Sequence, residues 1–473
     1  MTTWSALVAR WHERDDPAVI TADATWSGTE LIERSGGAAL HLQSLARHAG
    51  AIPALLTSTP TAFSYVIGGA MCGRPIAPLG PRLTERELAP CVAGLAAEVL
   101  LTEPEFEELA RSLATNVVVL DEPPAAAAPC TAHIGGDATA FVLHTSGTTG
   151  APKPVPYRQG RMAVRTALNA GLASLGVGDV YSTGSPMHHI AGFGNYAVAM
   201  AAGAAVAPLP RFTVDTWRAL TDIGVTHALT VPTMLELLLD ADALALPTLR
   251  VLQYGASPIH PNTLRRTLAA VPDVRLVNIY GQTEGSPITC LTGDDHRRIA
   301  DEGRDDLLSS VGRAAPGVEL RIDGPDESGV GEVVARGPHL MLPAPDGWLH
   351  TGDLGRLDDE GYLFLIGRRG DKIIRGGENV YPVEVEHVLE QHPGVREAAV
   401  IGVPDQRWGE IVRAVVVPAD PAAPPTPDDL RAHARHQLAG FKVPTEWVMT
   451  DALPRNAAGK LLRRALANEP LNR

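Results

Sequence analysis

The sequence predicts an α/β protein that carries a small α+β region at its C-terminal end. Three apolar segments, each followed at once by a small polar turn that contains glycine, predict buried strands of a parallel sheet (residues 140–150, 250–258 and 274–285). Beyond about residue 300, short apolar segments alternate with Gly, Asp and Pro turns, which is typical of hairpins. A chain of 473 residues has the length of about two to four domains.

The N-terminal region alternates helical and extended patterns. Residues 28–49 have a helical pattern, residues 99–102 form a short apolar run, and the Pro/Ala-rich residues 122–129 read as a loop. Because ligands bind beyond the carboxyl ends of parallel strands, the three strand-and-turn segments that follow predict one composite site.

The C-terminal half contains further strands and one clear helix start. Residues 317–323, 331–337 and 361–367 have the pattern of strands between turns. Pro382 is placed as a first-turn proline that opens a helix. Residues 398–403 and 411–417 then predict two strands of the small α+β region.

Composition excludes several classes of protein. The net charge of -14 and the lack of a basic block argue against nucleic-acid or anionic-membrane binding. The cysteines are too scattered for a disulfide framework or a zinc site. The start of the chain lacks the pattern of a signal peptide, and the Ala/Gly-rich residues 191–210 predict a buried helix, so we expect a cytoplasmic protein without a membrane span.

Lysine is almost absent. Of the 40 basic residues only four are lysine, namely Lys153, Lys372, Lys442 and Lys460. Arginine cannot replace a compact, flexible ammonium group everywhere, so these four positions are candidates for function. For Lys372 and Lys442 an ordinary solvated role is equally compatible with the sequence.

The segment of residues 145–153 has the composition of a phosphate-binding loop. Hydroxyl side chains alternate with glycines, and Lys153 adds a mobile charge, which suits a polyphosphate. The spacing is not that of a Walker A loop, so a P-loop NTPase is disfavoured. The candidate residues of the loop are Thr145, Ser146, Gly147, Thr148, Thr149, Gly150 and Lys153.

The chain resembles the adenylate-forming superfamily, which includes acyl-CoA and aryl-CoA ligases, luciferases and peptide-synthetase adenylation domains. Eight motifs appear in the family's order: HTSGTTGAPK (144–153), PMHHIAG (186–192), YGASP (254–258), YGQTE (280–284), GEVVARG (331–337), WLHTGD (348–353), GRRGDKIIRGGEN (367–379) and PRNAAGK (454–460). The resemblance is greatest to bacterial aryl-CoA and fatty-acyl-CoA ligases. It implies a large N-terminal domain of stacked αβ layers with a β-barrel-like part (residues 1–366), a hinge (367–370) and a small mobile α+β domain (371–473).

The resemblance implies an ATP-dependent ligase that converts a carboxylic acid to an acyl adenylate and then to an acyl-CoA, with ATP, Mg²⁺ and coenzyme A. Catalytic roles fall on Lys460, Thr283, Glu284 and His189, and Glu284 would bind the metal. The implied ATP site adds Gly255, Ala256, Ser257, Tyr280, Gly281, Gln282, Asp353 and Arg368 to the 145–153 loop. The acyl pocket would be lined by His189, Gly192, Phe193, Asn195, Tyr254, Ile279 and Gly281, and the CoA site by Gly376, Gly377, Trp408 and Phe441.

Two positions depart from the family's pattern. Gly370 stands where the family has an Asp or Lys pivot, so rotation about this hinge remains possible but one anchoring side chain is lost. Val443 stands where a basic residue contacts the CoA phosphate in many relatives. No Asp lies near His189, which disfavours an α-amino acid substrate and favours a small aromatic, cyclic or medium acyl acid.

Three readings of the function therefore remain open. The first is an acid:CoA ligase. The second is a stand-alone adenylating enzyme that passes the acyl group to a carrier-protein thiol or to an amine. The third is a degenerate adenylate-binding protein, which the presence of Lys153, Glu284, Asp353, Arg368 and Lys460 disfavours. We expect a monomer or a homodimer.

Overall fold

The computed structural model describes residues 2–22, 24–45, 50–130, 133–145, 152–341, 343–455 and 461–466. Contacts between Cα atoms divide the chain into two compact units. The first unit comprises residues 1–319 and 336–349, and the second comprises residues 320–335 and 350–473. Each unit is built on its own sheets.

The first unit contains two largely parallel sheets. The strands are β1 (Pro17–Ile20), β2 (Thr25–Ser27), β3 (Ile52–Leu55), β4 (Ile76–Leu79), β5 (Leu100–Thr102), β6 (Val117–Val119), β7 (Thr139–Thr145), β8 (Lys153–Arg158), β9 (Val180–Thr183), β10 (Ala205–Val206), β11 (His227–Thr230), β12 (Val251–Gly255), β13 (Arg275–Gln282), β14 (Gly285–Leu291) and β15 (Arg313–Ala314). The larger sheet has the order β15-β14-β13-β12-β11-β9-β10-β1-β2, and the smaller has the order β6-β5-β3-β4-β7-β8.

Helices cover these sheets. They are α1 (Trp4–Val8), α2 (Gly28–Ser44), α3 (Pro60–Cys72), α4 (Glu85–Leu95), α5 (Glu107–Leu113), α6 (Gln159–Ala173), α7 (Asn195–Ala202), α8 (Val214–Arg218), α9 (Leu220–Ile223), α10 (Pro232–Asp240), α11 (Pro261–Ala270) and α12 (Gly293–Glu302). A π-helical turn, Ile190–Gly194, leads directly into α7. Trp4, Phe63, Phe141 and Phe193 form an aromatic core in which the rings pack edge to face or tilted. This core joins α1, α3 and the π-helical turn to β7 of the smaller sheet.

The second unit contains a sheet of order β16-β17-β18-β19 and a sheet of order β21-β20-β23-β22, with β24 beside β23. The strands are β16 (Glu319–Asp323), β17 (Gly331–Arg336), β18 (Leu349–Leu357), β19 (Leu363–Arg368), β20 (Ile373–Arg375), β21 (Glu378–Val380), β22 (Val395–Asp405), β23 (Gly409–Pro418) and β24 (Glu446–Met449). The helices are α13 (Pro382–Leu389), α14 (Pro427–Arg435) and α15 (Arg463–Leu466).

The predicted fold class is confirmed: stacked α/β layers form a large N-terminal part, and a smaller α+β part follows. Pro382 is the first residue of α13, and α7 is the buried helix expected within residues 191–210. No helix among the described residues is long and apolar enough to cross a membrane. The strand β18 was recognised only as a motif in the sequence, because its Thr-Gly-Asp segment reads as a turn. The hinge at residues 367–370 stays a prediction.

Candidate active site

The candidate phosphate loop connects two strands of a hairpin. Thr145 ends β7 and lies opposite Lys153, which begins the antiparallel β8. Lys153 is exposed, and Thr145 is partly buried. The predicted residues Ser146, Gly147, Thr148, Thr149 and Gly150 lie outside the described residues. The hairpin thus brings Thr145 and Lys153, the described ends of the predicted loop, side by side where β7 ends.

The predicted nucleotide segments lie at the carboxyl ends of neighbouring parallel strands. Gly255, the last residue of β12, pairs with Ile279 of β13, and a Cβ at Gly255 would stand only 2.3 Å from the Ile279 carbonyl oxygen. Ala256 follows in the left-handed region with φ 69°. At the same ends the Thr230 hydroxyl and the Gln282 amide nitrogen are buried without a hydrogen-bond partner among the described residues. Unpaired buried polar atoms here are typical of a ligand site.

Thr283 and Glu284 form the two-residue connection of the β13–β14 hairpin, in which Gln282 pairs with Gly285. A Cβ at Gly281 would meet the Gly285 carbonyl oxygen at 2.7 Å, so this position requires glycine if the hairpin is to stay closed. The Glu284 side chain is partly buried, and among the described residues it has no hydrogen bond or ion pair. A carboxylate without a partner fits a hard cation such as Mg²⁺.

No group of three or more metal-ligating side chains exists among the described residues. A Mg²⁺ ion at Glu284 would therefore have to take most of its ligands from phosphate oxygens and water. This is the usual coordination of Mg²⁺ at nucleotide sites.

Tyr157 connects the phosphate hairpin to the Thr283–Glu284 turn. It lies on β8, four residues after Lys153, and its hydroxyl donates a hydrogen bond to the Thr283 carbonyl oxygen. The ring is stacked on Phe141 of β7 at 4.8 Å between centroids. Burial raises the pKa of Tyr157 far above its ordinary value, so the hydroxyl remains a donor at any working pH. Two motifs that are 126 residues apart in sequence are thus held together by one buried tyrosine.

The predicted acyl segment begins at His189, which precedes the π-helical turn. A Cβ at Gly192 would stand 1.9 Å from the Pro186 carbonyl oxygen, so only glycine allows this tight return of the chain. The His189 ring lies 4.0 Å from the His188 ring, and His144 is close enough to act on His188 electrostatically. Burial lowers the pKa of His189 and of His144 to about 4, and that of His188 well below its ordinary value. All three rings are neutral at pH 7.

Arg165 of α6 holds the acyl segment against β14. Its guanidinium donates to the Ser286 carbonyl oxygen at 2.9 Å, to the Asn195 side-chain oxygen at 2.8 Å, and to the Gly194 carbonyl oxygen. Only 1% of Arg165 is exposed, and burial lowers the pKa of the guanidinium. A buried cation whose hydrogen bonds are to uncharged groups fixes geometry on both sides of it.

Two predicted pocket residues lie in the core of the first unit. Phe193 is fully buried and packs against Phe141 and Trp4. Tyr254 is 1% exposed, and its hydroxyl donates to His296, whose other ring nitrogen donates to the Thr292 carbonyl oxygen. Both side chains are occupied by packing, so the wall of the predicted pocket is left to His189, Gly192, Asn195, Ile279 and Gly281.

In the second unit, the predicted ribose residues are neighbours. Asp353 of β18 lies opposite Arg368 of β19, and the Arg368 Nε donates to the Asp353 carboxylate at 3.0 Å. Asp353 is 7% exposed, and its backbone amide donates to the Thr351 hydroxyl. The carboxylate is therefore held in one orientation.

The predicted CoA residues gather around Arg375. Gly376 and Gly377 have φ of 61° and 90° and form the tight turn between β20 and β21. The Gly376 amide donates to the Trp408 carbonyl oxygen at 2.7 Å, and a Cβ at Gly376 would stand 2.8 Å from the indole. Arg375 donates to the Phe441 carbonyl oxygen at 2.7 Å, and its guanidinium lies 5.9 Å from the Trp408 ring.

Trp408 is the exposed aromatic residue of this group. Its side chain is 42% exposed, and the Arg407 guanidinium lies 5.0 Å from its ring. An exposed indole flanked by guanidinium groups offers both a stacking face and positive charge.

The remaining lysines and the hinge are placed as follows. Lys442 forms an ion pair with Glu384, with hydrogen bonds of 2.6 and 2.8 Å. This contact gives Lys442 a structural partner. Val443 is buried at 4% exposure. Gly370 is exposed, and a Cβ there would meet nothing within 4 Å. The predicted catalytic Lys460 lies outside the described residues.

Comparison with known families decides the class of the protein. A family model described as AMP-binding enzyme matches residues 8–343, and a model of the AMP-binding enzyme C-terminal domain matches residues 384–460. The chain belongs to the AMP-binding enzyme family. It is an adenylate-forming ligase, and the resemblance inferred from the eight motifs is confirmed.

Three relatives of this AMP-binding enzyme differ in the acceptor that their names give. A fatty acid–[acyl-carrier-protein] ligase, ScoC, of Streptomyces coeruleorubidus is 36% identical, with 96% of this chain and 93% of the relative covered. The amide bond synthetase McbA of Marinactinospora thermotolerans has a TM-score of 0.88 at 29% identity, covering 98% and 99% of the two chains. O-succinylbenzoate coenzyme A synthetase of Bacillus subtilis, solved with ATP and magnesium ion, has a TM-score of 0.85 at 29% identity, covering 99% and 100%.

Sequence reasoning missed three residues that connect the motifs of this enzyme, namely the buried Tyr157 and Arg165 and the partly buried Arg375. A signal for Arg165 exists, because Arg165 and Asn169 are one helical turn apart on the buried face of α6, where apolar residues are the rule. Arg375 lies within the motif of residues 367–379, but nothing in the spacing of that motif indicates its contact with Phe441. Tyr157 carries no local signal, because its partner is in a distant part of the chain.

Proposed function

We propose that this AMP-binding enzyme is an ATP-dependent carboxylic acid:CoA ligase. In the first half-reaction the acid carboxylate attacks the α-phosphorus of ATP, so acyl-AMP forms and pyrophosphate leaves. In the second, the CoA thiol loses its proton and attacks the acyl carbon, so acyl-CoA forms and AMP leaves. The acid is a small aromatic, cyclic or medium acyl acid.

The chain's own residues have distinct tasks in this scheme. The 145–153 loop and Lys153 bind the β- and γ-phosphates, and the Gly255–Ser257 turn with Tyr280 accommodates adenine. Asp353 accepts hydrogen bonds from the ribose hydroxyls, with Arg368 fixing its carboxylate. Thr283 contacts the α-phosphate, and Lys460 approaches the same phosphate and the acid carboxylate. Glu284 would hold Mg²⁺, which when bound would supply positive charge to the phosphate oxygens.

The neutral histidines support an uncharged acyl group. Since His189 has a pKa of about 4, it offers an aromatic face and no positive charge at pH 7. Ile279 and the two glycines add no charge to the wall of the predicted pocket. The sequence around His189 contains no acidic residue to pair with an α-amino group.

The single observation that supports CoA as the acceptor is the cluster around Trp408. The Gly376 amide contacts Trp408 directly, and Phe441 is connected to it through Arg375. Arg407 places a second guanidinium beside the exposed indole. An adenine base stacks well on such an indole, and the guanidinium groups suit the phosphates of CoA. Arg407 and Arg375 supply the positive charge that is missing at Val443.

A carrier-protein thiol or an amine is the second candidate acceptor. Two observations favour it: Val443 is buried and uncharged, and the charge of Lys442 is neutralised by Glu384. The relatives from Streptomyces coeruleorubidus and Marinactinospora thermotolerans carry names of these two acceptor classes.

One experiment separates the two candidates. Pyrophosphate release is measured over a panel of carboxylic acids with ATP and Mg²⁺, and the thioester is then sought after addition of CoA. Acyl-CoA that appears in step with AMP supports the proposal. Release of pyrophosphate without thioester, together with transfer to pantetheinylated carrier protein or to an amine, refutes the CoA assignment. No release with any acid refutes adenylation itself.

A further inference from the structure

A small buried cavity lies beside the predicted acyl pocket. Its volume is about 10 Å³, which is room for about one water molecule. Helices α6 and α7 supply Asn169, Asn195 and Val198 to its lining, and strands β9 and β12 supply Tyr181 and Gln253. Ala173 and Leu175 complete the lining, so four of its seven side chains are polar, although the site lies inside a core of apolar side chains and rings.

Two of the polar groups have no partner. The Tyr181 hydroxyl is buried without a hydrogen bond among the described residues. The Gln253 side chain is 5% exposed and likewise has no hydrogen bond within the described part of the chain. Asn169 uses its amide nitrogen for the Arg165 carbonyl oxygen, which leaves its own side-chain oxygen available. Since an unpaired buried polar group costs free energy, this concentration at one point indicates a binding role.

The strand register locates the cavity relative to the pocket. Gln253 and Gly255 are two residues apart on β12, so their side-chain positions face the same side of the sheet. Gly255 pairs with Ile279, a wall residue of the predicted pocket, whereas Gln253 pairs with Val277. The cavity therefore lies about 7 Å further than Ile279 from the carboxyl ends of the strands, which is the length of two residues along a strand.

Asn195 belongs to both regions. It follows the π-helical turn of the acyl segment and also lines the cavity. Its side-chain oxygen is occupied by Arg165, and its amide nitrogen lies 3.5 Å from the Ala191 carbonyl oxygen, so it retains donor capacity. The predicted pocket wall and the cavity therefore share one polar side chain.

We infer that this cavity is the far end of the acyl pocket, and that the enzyme selects acids that carry a hydrogen-bonding group, such as a hydroxyl or carbonyl, at the end remote from the carboxylate. The inference rests on the proposed adenylation of an acid at this site. Tyr181 and Gln253 are the residues that recognise the remote group. An apolar end of the same size would leave them unpaired, and such a site discriminates strongly against an analogue that lacks the hydrogen-bonding group.

The test uses two pairs of acids matched in size. The first is para-hydroxybenzoic acid against para-methylbenzoic acid, and the second is a hydroxy-terminated against a methyl-terminated straight-chain acid of equal length. Pyrophosphate release gives kcat/KM, and the rise in unfolding temperature gives binding without turnover. We expect the hydroxyl member of at least one pair to be favoured by about tenfold or more in both measurements. Equal or reversed preference in both pairs overturns the inference.

Two variants and one control assign the preference to residues. Tyr181→Phe and Gln253→Leu should each lower the preference by about tenfold. Tyr181→Phe should not lower stability, because the hydroxyl it removes has no hydrogen-bond partner among the described residues. Tyr196→Phe is the control: its ring lies 6.2 Å from Tyr181, but its hydroxyl donates to the Thr183 carbonyl oxygen at 2.7 Å. It should lower stability and leave the preference unchanged. An unchanged preference in both test variants contradicts the assignment.

The two measurements also separate this inference from the proposed function. Binding that favours the hydroxyl acids, without pyrophosphate release, supports the cavity's role and refutes adenylation. Pyrophosphate release that is indifferent to the remote group supports adenylation and overturns the role of the cavity. If no acid shows either a binding preference or pyrophosphate release, both the inference about the cavity and the proposed function are overturned.

Discussion

Arg165 is the residue whose replacement tests the architecture of the site most directly. Its guanidinium joins the end of the π-helical turn, the first residue of α7 and the strand that follows the Thr283–Glu284 turn. Arg165→Met keeps an unbranched apolar stem while removing the guanidinium and with it every donor. The Ser286, Gly194 and Asn195 oxygens then lose their shared partner.

The expected cost follows from the contacts. The guanidinium makes hydrogen bonds to three oxygens, and each contributes about 1 kcal/mol or somewhat more net, which gives about 3 kcal/mol. Removal of a buried charge opposes this, since burial already lowers the pKa of Arg165. We expect a net loss of about 2 kcal/mol in the free energy of unfolding of the first unit, with a higher KM for the acid because both sides of the pocket shift.

The assay is denaturant unfolding followed by tryptophan fluorescence, with kinetics of pyrophosphate release on the same samples. Arg161→Met is the matched control, because Arg161 lies on the same helix, is only partly buried, and donates to the Leu340 carbonyl oxygen. It should cost less than Arg165→Met and leave the KM for the acid unchanged. Equal costs for the two variants, or a loss below about 0.5 kcal/mol for Arg165→Met, would refute the reasoning.

Three further predictions concern the second unit. Gly370→Pro should abolish acyl-CoA formation and leave pyrophosphate release largely intact, because Gly370 sits in the hinge predicted to turn between half-reactions. Gly370→Ala is the control and should leave both half-reactions active, because the structure has space for the added Cβ. Equal loss of both half-reactions in the proline variant would contradict the hinge. Trp408→Ala should raise the KM for CoA by about tenfold without changing pyrophosphate release in the absence of CoA, and an unchanged KM would exclude stacking. Burial raises the pKa of Glu390 to about 8, above the ordinary 4.5, so the unfolded chain releases this proton at a lower pH than the folded chain. The free energy of unfolding should therefore fall as pH rises from about 5 to 8, by at most about 1.4 kcal/mol per pH unit. Glu390→Gln, which keeps an acceptor for the Ala398 amide, should remove that slope in unfolding curves measured at several pH values, and an identical slope in the variant would disprove the role of Glu390.

The backbone features of the candidate site are largely local. The strand-and-turn segments, the tight Gly376–Gly377 turn and the neighbouring Asp353 and Arg368 all follow from residue types at fixed spacing. Glycine at Gly192 and Gly281 is required by approaches of 1.9 and 2.7 Å to backbone oxygens. Such requirements are local, so they are visible in sequence.

Side-chain direction was less predictable. Phe193 and Tyr254 fall within pocket motifs, but Phe193 packs in the aromatic core and Tyr254 donates to His296. Alternation along a strand or helix shows that a residue faces one of two sides, but not which partner fills that side. Packing decides this, because the whole interior must be filled at once.

By itself, the sequence determined the family, several of the strands and the turns at which we propose that ligands bind, because glycines, prolines and hydroxyl-rich loops impose conformation on their immediate neighbours. Only the tertiary structure decided how those turns are held together. The Tyr157–Thr283 contact spans 126 residues, and the contacts of Arg165 with Ser286 span 121. The polar cavity at Tyr181 and Gln253 likewise exists only where two helices close over neighbouring strands. Contacts of this kind have no local signature, because they arise from the packing of segments that are far apart in the chain.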